Sequence, residues 1–130
     1  MILISGALLG FIAIAFGAFA EHGLREGIAD EQFRFLMTAL RYNQVHAVVI
    51  TAIGLVLPND GKLANTLALR WSGLLFIIGT MLFSFSIYAF VTLKLPSLLN
   101  ITPIGGVTIM AAWILLLATG VMAKRKLKSI

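Results

Sequence analysis

Residues 38–57 read TALRYNQVHAVVITAIGLVL, and the fold turns on how this stretch is understood. In a water-soluble helix Arg41, Tyr42, Asn43, Gln44 and His46 would simply be the wet face. The rest of the chain argues against that. Of its 130 residues, 60% are hydrophobic and 12% charged, with a mean hydropathy of +1.02. A soluble domain is nearer half apolar and a quarter charged. Crossing the hydrocarbon as a helix takes about 20 mostly apolar residues. The stretch meets that length and stops before the turn sequence PNDG, Pro58 to Gly61. It reads as a membrane span with a polar head.

Working outward, Ile2 to Ala20 and Trp71 to Leu93 are uncharged and long enough to span. Leu95 to Ala123 is also uncharged, but Pro96 and Pro103 confine helix to its later part. Thr102 can serve as N-cap with Pro103 as the first helical residue. Spans at 2–20, 38–57, 71–93 and 102–123 leave little over. The expected fold is one all-α integral membrane domain over residues 1–130, with four transmembrane helices in a compact bundle. AFA (Ala18 to Ala20) resembles a signal cleavage site, but no basic segment precedes it, so an uncleaved first helix is expected.

Between the first two spans lies an amphipathic segment. Asp30 is a candidate N-cap, and Phe33, Leu36, Met37 and Leu40 follow at i, i+3, i+4 and i+7. No Gly or Pro interrupts residues 31–53. The segment is either a short interfacial helix or an extension of the second span.

The chain has no cysteine, which excludes disulfides and thiol chemistry. Its net charge of +5 is concentrated in Lys124, Arg125, Lys126 and Lys128. Beside a long apolar segment such a tail faces anionic headgroups, and no basic face interleaved with aromatics suggests nucleic acid. Membrane lipids are the expected partners. With the tail cytoplasmic, Lys62, Arg70 and the four tail residues share one side, against Arg25, Arg34, Arg41 and Lys94 opposite. The excess favours both termini in the cytoplasm.

The stretches GALLGFIAIAFGAFAEHGL, RYNQVHA, GTMLFSFSIY and TPIGGVTIMAAW, in that order, resemble the YgdD-like small membrane proteins. That family is catalogued as a domain of unknown function, with bacterial inner-membrane members and eukaryotic relatives. The resemblance covers nearly the whole chain. It implies the fold and an inner (cytoplasmic) membrane location, and carries no biochemical activity. Two motifs depart from the family pattern: its usual GAFGAH stands here as GAFAEH, with Ala20 and Glu21 where small residues are expected, and its usual FSGS as FSFS, with Phe85 in place of glycine.

Candidate functional residues fall into two sets. Gly6, Gly10, Ala13, Gly17 and Ala20 make a small-residue stripe along the first helix. Small residues let helix backbones approach closely in lipid. The stripe serves either as packing within the chain or as the seam of a homo-oligomer.

The second set is polar. Tyr42 and His46 lie one turn apart, with Asn43 beside them. Taking Thr38 as the membrane boundary, His46 lies roughly 12 Å below it. Ionisable groups at that depth line cavities or pair internally. Antiparallel spans bring Ser84, Ser86, Tyr88 and Thr108 to the same half. The cluster is therefore expected to comprise Arg41, Tyr42, Asn43, His46, Ser84, Ser86, Tyr88 and Thr108. Arg41 would snorkel toward the headgroups, with Glu21 at the end of the first helix as a candidate partner. A neutral His46 would bond a hydroxyl of Tyr42, Ser84 or Thr108.

Such a network can fix helix register, hold a small molecule, quinone or lipid, or handle protons or ions. A metal site is not expected, because His22 lies at the boundary and His46 well inside it, a separation far beyond ligand bond lengths of about 2 Å. No nucleophile–base–orienter set or paired intramembrane carboxylates can be read, and no cofactor is implied. The sequence points to a non-enzymatic accessory or oligomer-forming component, alone or in a larger membrane complex. The rival is a small ligand-binding or transport module at Tyr42 and His46. An open polar cavity would favour the rival, a closed network the accessory role.

Overall fold

Backbone amides left unpaired in hydrocarbon are costly, so apolar spans close their hydrogen bonds as helices. The computed structural model follows this rule, and describes residues 1–58 and 67–129. Among the described residues four helical stretches are long and apolar enough to cross a membrane: Ile2–Gly27, Asp30–Val56, Leu67–Leu93 and Pro96–Lys128. Of the expected PNDG turn only Pro58 is described; Asn59 to Gly61, and Lys62, lie outside those residues.

Helix α1 (Ile2–Phe19) runs into a π turn, Ala20–Leu24, and a 3-10 turn, Arg25–Gly27. Helix α2 (Asp30–Val56) is continuous, so the amphipathic segment is the outer part of the second span rather than a separate interfacial helix. Asp30 is its first helical residue rather than its N-cap. Ala29 holds the cap position, and Gln32 Oε1 reaches back to accept from the Ala29 N–H at 3.4 Å. Alanine has no side-chain acceptor, so the amide of Gln32 supplies the only side-chain cap bond.

The third stretch divides into α3 (Leu67–Thr80), a π turn (Met81–Phe85) and α4 (Ser86–Leu93). Lys94 ends it in the left-handed conformation, φ 55°, and Pro96 prevents its resumption. A 3-10 turn, Pro96–Asn100, leads into α5 (Thr102–Lys128). Ile101, not Thr102, is the N-cap of α5. The Thr102 hydroxyl is instead committed across the bundle to Ser86, at 2.7 Å.

Close contacts fix the arrangement. Gly6 meets Thr51 and Gly54 meets Leu3, so α1 and α2 run antiparallel. Gly79 meets Ile109 and Gly105 meets Phe83, so α3 and α5 do likewise. Within each of these pairs glycine faces backbone. A Cβ on Gly6 would lie 2.6 Å from the Thr51 nitrogen, and one on Gly54 2.5 Å from the Leu3 Cα. A Cβ on Gly79 would lie 2.9 Å from the Ile109 nitrogen, and one on Gly105 would collide with the Phe83 nitrogen. Between the pairs the contact is through side chains: the atoms nearest to Gly73 belong to the Ile2 and Ile53 side chains. The bundle is thus two glycine-zipped hairpins packed on each other. One core gathers around Ile50, Phe76 and Ile109, the other around Leu36, Ala39 and Tyr88.

Candidate functional site

Gly6 is buried and used within the chain, while Gly10 and Gly17 face side chains of α2 at ordinary distances, the nearest being Ala47 and Leu40 at 3.8 Å. Ala20, at the first altered family position, is fully buried. Glu21 beside it is exposed and pairs with Arg25 one turn on. Arg41 therefore does not have Glu21 as its partner, because the π turn aims that carboxylate back along its own helix.

The polar residues of α2 point in different directions. Asn43 is fully buried and donates an Nδ2–H to the Tyr88 hydroxyl at 3.2 Å. Tyr88 stacks on Phe16 of α1, ring centroids 4.2 Å apart, and tilts against Phe85 at 5.5 Å. Ser84, in the second π turn, donates to the Ala39 carbonyl of α2 at 2.8 Å. Ser86 lies 2.9 Å from the Phe83 carbonyl, beside Thr102. An inserted residue widens a π turn and re-aims the side chains beyond it, so one stretch supplies both the α2 and the α5 contact.

His46 is nearly buried, and its partners differ from those expected. Its Nε2 faces the Trp113 indole at 3.2 Å, and its Nδ1 lies 2.7 Å from the Tyr42 carbonyl. An indole N–H can only donate and a carbonyl can only accept. Nε2 is therefore the unprotonated acceptor and Nδ1–H the donor, which makes the ring neutral and fixes its tautomer. The imidazole also stacks on Phe76 at 5.5 Å and meets the Trp113 ring edge-on at 6.2 Å. Thr108 is not in the cluster: its hydroxyl bonds the Ile104 carbonyl of its own helix at 2.8 Å, as threonines in apolar helices commonly do. The Tyr42 ring lies flat on Phe83, centroids 4.4 Å apart, and Arg41 is exposed above it.

Trp113 and Thr102 are the partners the sequence did not reveal. Three buried hydroxyls were also missed: Ser72 donates to the Ala112 carbonyl at 3.0 Å, Thr119 donates to the Leu115 carbonyl at 2.9 Å, and Thr80 has no partner among the described residues. Asn43 Oδ1 is likewise unpaired. Among the described residues no three His, Asp or Glu side chains gather as metal ligands.

Beside the His46–Trp113 pair a cleft of about 510 Å³ opens sideways between α2 and α5. Arg41, Tyr42 and Gly106 stand at one end and Trp113 at the other, with Phe83 and Met110 also in its walls. A second groove, of about 740 Å³, runs between α1 and α2 past Gly10, Gln44 and Thr51.

A family model described as a protein of unknown function, DUF423, matches residues 16–106. The chain is 33% identical over 124 residues to the UPF0382 inner membrane protein YgdD of Escherichia coli K12, covering 95% of this chain and 92% of that protein. It is 36% identical over 108 residues to a UPF0382 membrane protein of Haemophilus influenzae, covering 83% of each. It is 33% identical over 117 residues to a UPF0382 membrane protein of Staphylococcus aureus, covering 90% of this chain and 92% of that one. No solved structure matches.

Proposed function

The chain belongs to the DUF423 family of membrane proteins, and for this member we propose a non-catalytic role as an accessory component of the inner membrane. It acts through its lateral surfaces, as a homo-oligomer or within a larger membrane complex, with both termini in the cytoplasm. The observation that carries this reading is where the interior polar groups spend their hydrogen bonds. The Ser72 and Ser84 hydroxyls bond backbone carbonyls of neighbouring helices, Ser86 bonds Thr102, Asn43 bonds Tyr88, and both His46 nitrogens are engaged. A hydroxyl held on a carbonyl, with no base beside it, is not an activated nucleophile. Such bonds fix helix register instead.

Purification in mild detergent, followed by native mass spectrometry of the intact particle, tests the reading. A discrete oligomer or a stoichiometric protein partner is expected. A monomer that retains a small molecule one-to-one, and releases it on His46→Ala with the fold intact, would replace this reading with a ligand-binding module. One feature supports that second reading: the cleft beside His46 opens to the lipid side and is large enough for part of an amphiphile.

A further inference from the structure

We propose that the α2–α5 cleft holds one acyl chain of an anionic membrane phospholipid, with its headgroup phosphate on Arg41. The inference rests on the ligand-cleft reading and gives it a chemical class. Both helices descend from the same end of the bundle, so the cleft runs from the level of Arg41 and Gly106 to that of His46 and Trp113. Seven residues of α5 separate Gly106 from Trp113, which makes it roughly 10 Å deep. That is a large part of one leaflet's hydrocarbon, about 15 Å.

Its walls are Val45, Met110 and the faces of Phe83 and Trp113, which suit a chain and offer nothing to a polar head. The one polar ring at its floor, His46, already spends both nitrogens within the protein. The polar part of an occupant must therefore sit at the rim. There Arg41 is exposed and takes part in no ion pair among the described residues. A guanidinium at a membrane boundary matches a phosphate in charge and in forked geometry. Arg34, two turns earlier on the same helix face and also exposed, adds positive potential and favours a headgroup of net negative charge.

Helix packing does not require the space to be vacant. Gly105 presses on the Phe83 backbone, but a Cβ on neighbouring Gly106 would meet nothing nearer than the Phe83 ring, at 3.8 Å. A side chain at 106 would fill the cleft without displacing backbone.

The two tryptophans make this measurable. Trp71→Phe leaves Trp113 as the sole tryptophan, at the cleft floor. The variant is placed in phosphatidylcholine bilayers with equal mole fractions of acyl-brominated phosphatidylglycerol or acyl-brominated phosphatidylcholine. The site's apparent affinity from Trp113 quenching should favour phosphatidylglycerol about fivefold, the effect of one cation near an anionic headgroup. Adding Arg41→Gln should lower the ratio to the weaker preference that Arg34 alone exerts. Adding Gly106→Leu should reduce quenching by both lipids, and Val45→Phe, from the other wall, should do the same if Gly106→Leu fails to assemble. Equal quenching by the two lipids, or a ratio indifferent to Arg41→Gln, overturns the anionic headgroup while leaving an occupied cleft. Quenching indifferent to both cleft-filling variants overturns occupancy, and the ligand-cleft reading with it.

Discussion

Replacing His46 by alanine removes three things at once: the acceptor for the Trp113 N–H, the donor to the Tyr42 carbonyl, and a ring packed against Phe76 and Trp113. The Tyr42 carbonyl is least affected, since it already belongs to the hydrogen-bond ladder of α2. The indole N–H is left in a site where little water can replace its partner. Stranding a donor away from water costs about 1–3 kcal/mol, whereas hydrogen bonds measured between membrane helices average about 0.6 and reach about 1.7. Loss of the aromatic pairing adds about 1 kcal/mol. His46→Ala should therefore cost about 2–3 kcal/mol, of which about 1 is coupling to Trp113. His46→Gln keeps an acceptor and should lose only about half as much. Reversible unfolding in mixed micelles of rising dodecyl sulfate fraction, run as a cycle of His46→Ala, Trp113→Phe and the double variant, measures that coupling. Nitrogen NMR of the imidazole should show its proton on Nδ1 alone. Strictly additive single variants, or an Nε2–H tautomer, would refute the His46–Trp113 hydrogen bond.

Glycine contacts predict opposite outcomes in the two hairpins. Gly105→Ala drives a methyl into the Phe83 backbone and should cost at least about 1–3 kcal/mol by overpacking, whereas Gly10→Ala meets only Ala47 at 3.8 Å and should be neutral or stabilising by up to about 1 kcal/mol in the same unfolding assay. For orientation, single cysteines at Gly27, which has open space around it, and at Ser129 can be labelled from outside intact cells. Labelling at 27 and not at 129 is expected; the reverse pattern inverts the topology.

The four helices were legible because a span in hydrocarbon must be long, apolar and uncharged, and those properties are local to the chain. The polar face of α2 was legible too, since Asn43 and His46 are conspicuous at that depth. Their partners were not. Trp113 looks like any aromatic in an apolar helix until the helix azimuths are known, and nothing in its neighbours announces that α2 and α5 run side by side in parallel. Thr108, chosen because it lies at the right depth, faces along its own helix. Depth follows from residue number at a fixed rise; direction around the axis depends on packing. The π turn at Met81–Phe85 shifts that direction partway along a span, so extrapolating a single helical phase through it misplaces everything beyond.

The difference between glycine-on-backbone contacts within the hairpins and side-chain contacts between them bears on assembly order. Leu3–Gly54 and Gly6–Thr51 join segments adjacent in the chain, as do Gly79–Ile109 and Gly105–Phe83. Each hairpin can therefore close soon after its second helix enters the bilayer, without waiting for the other. Docking comes afterwards, and it is keyed by the Asn43–Tyr88, Ser84–Ala39 and His46–Trp113 bonds. Each zipped pair shares far more close helix contact than the joint does, so the joint is the weaker. Under mechanical or detergent stress the molecule should part along that joint first, into two intact helical hairpins.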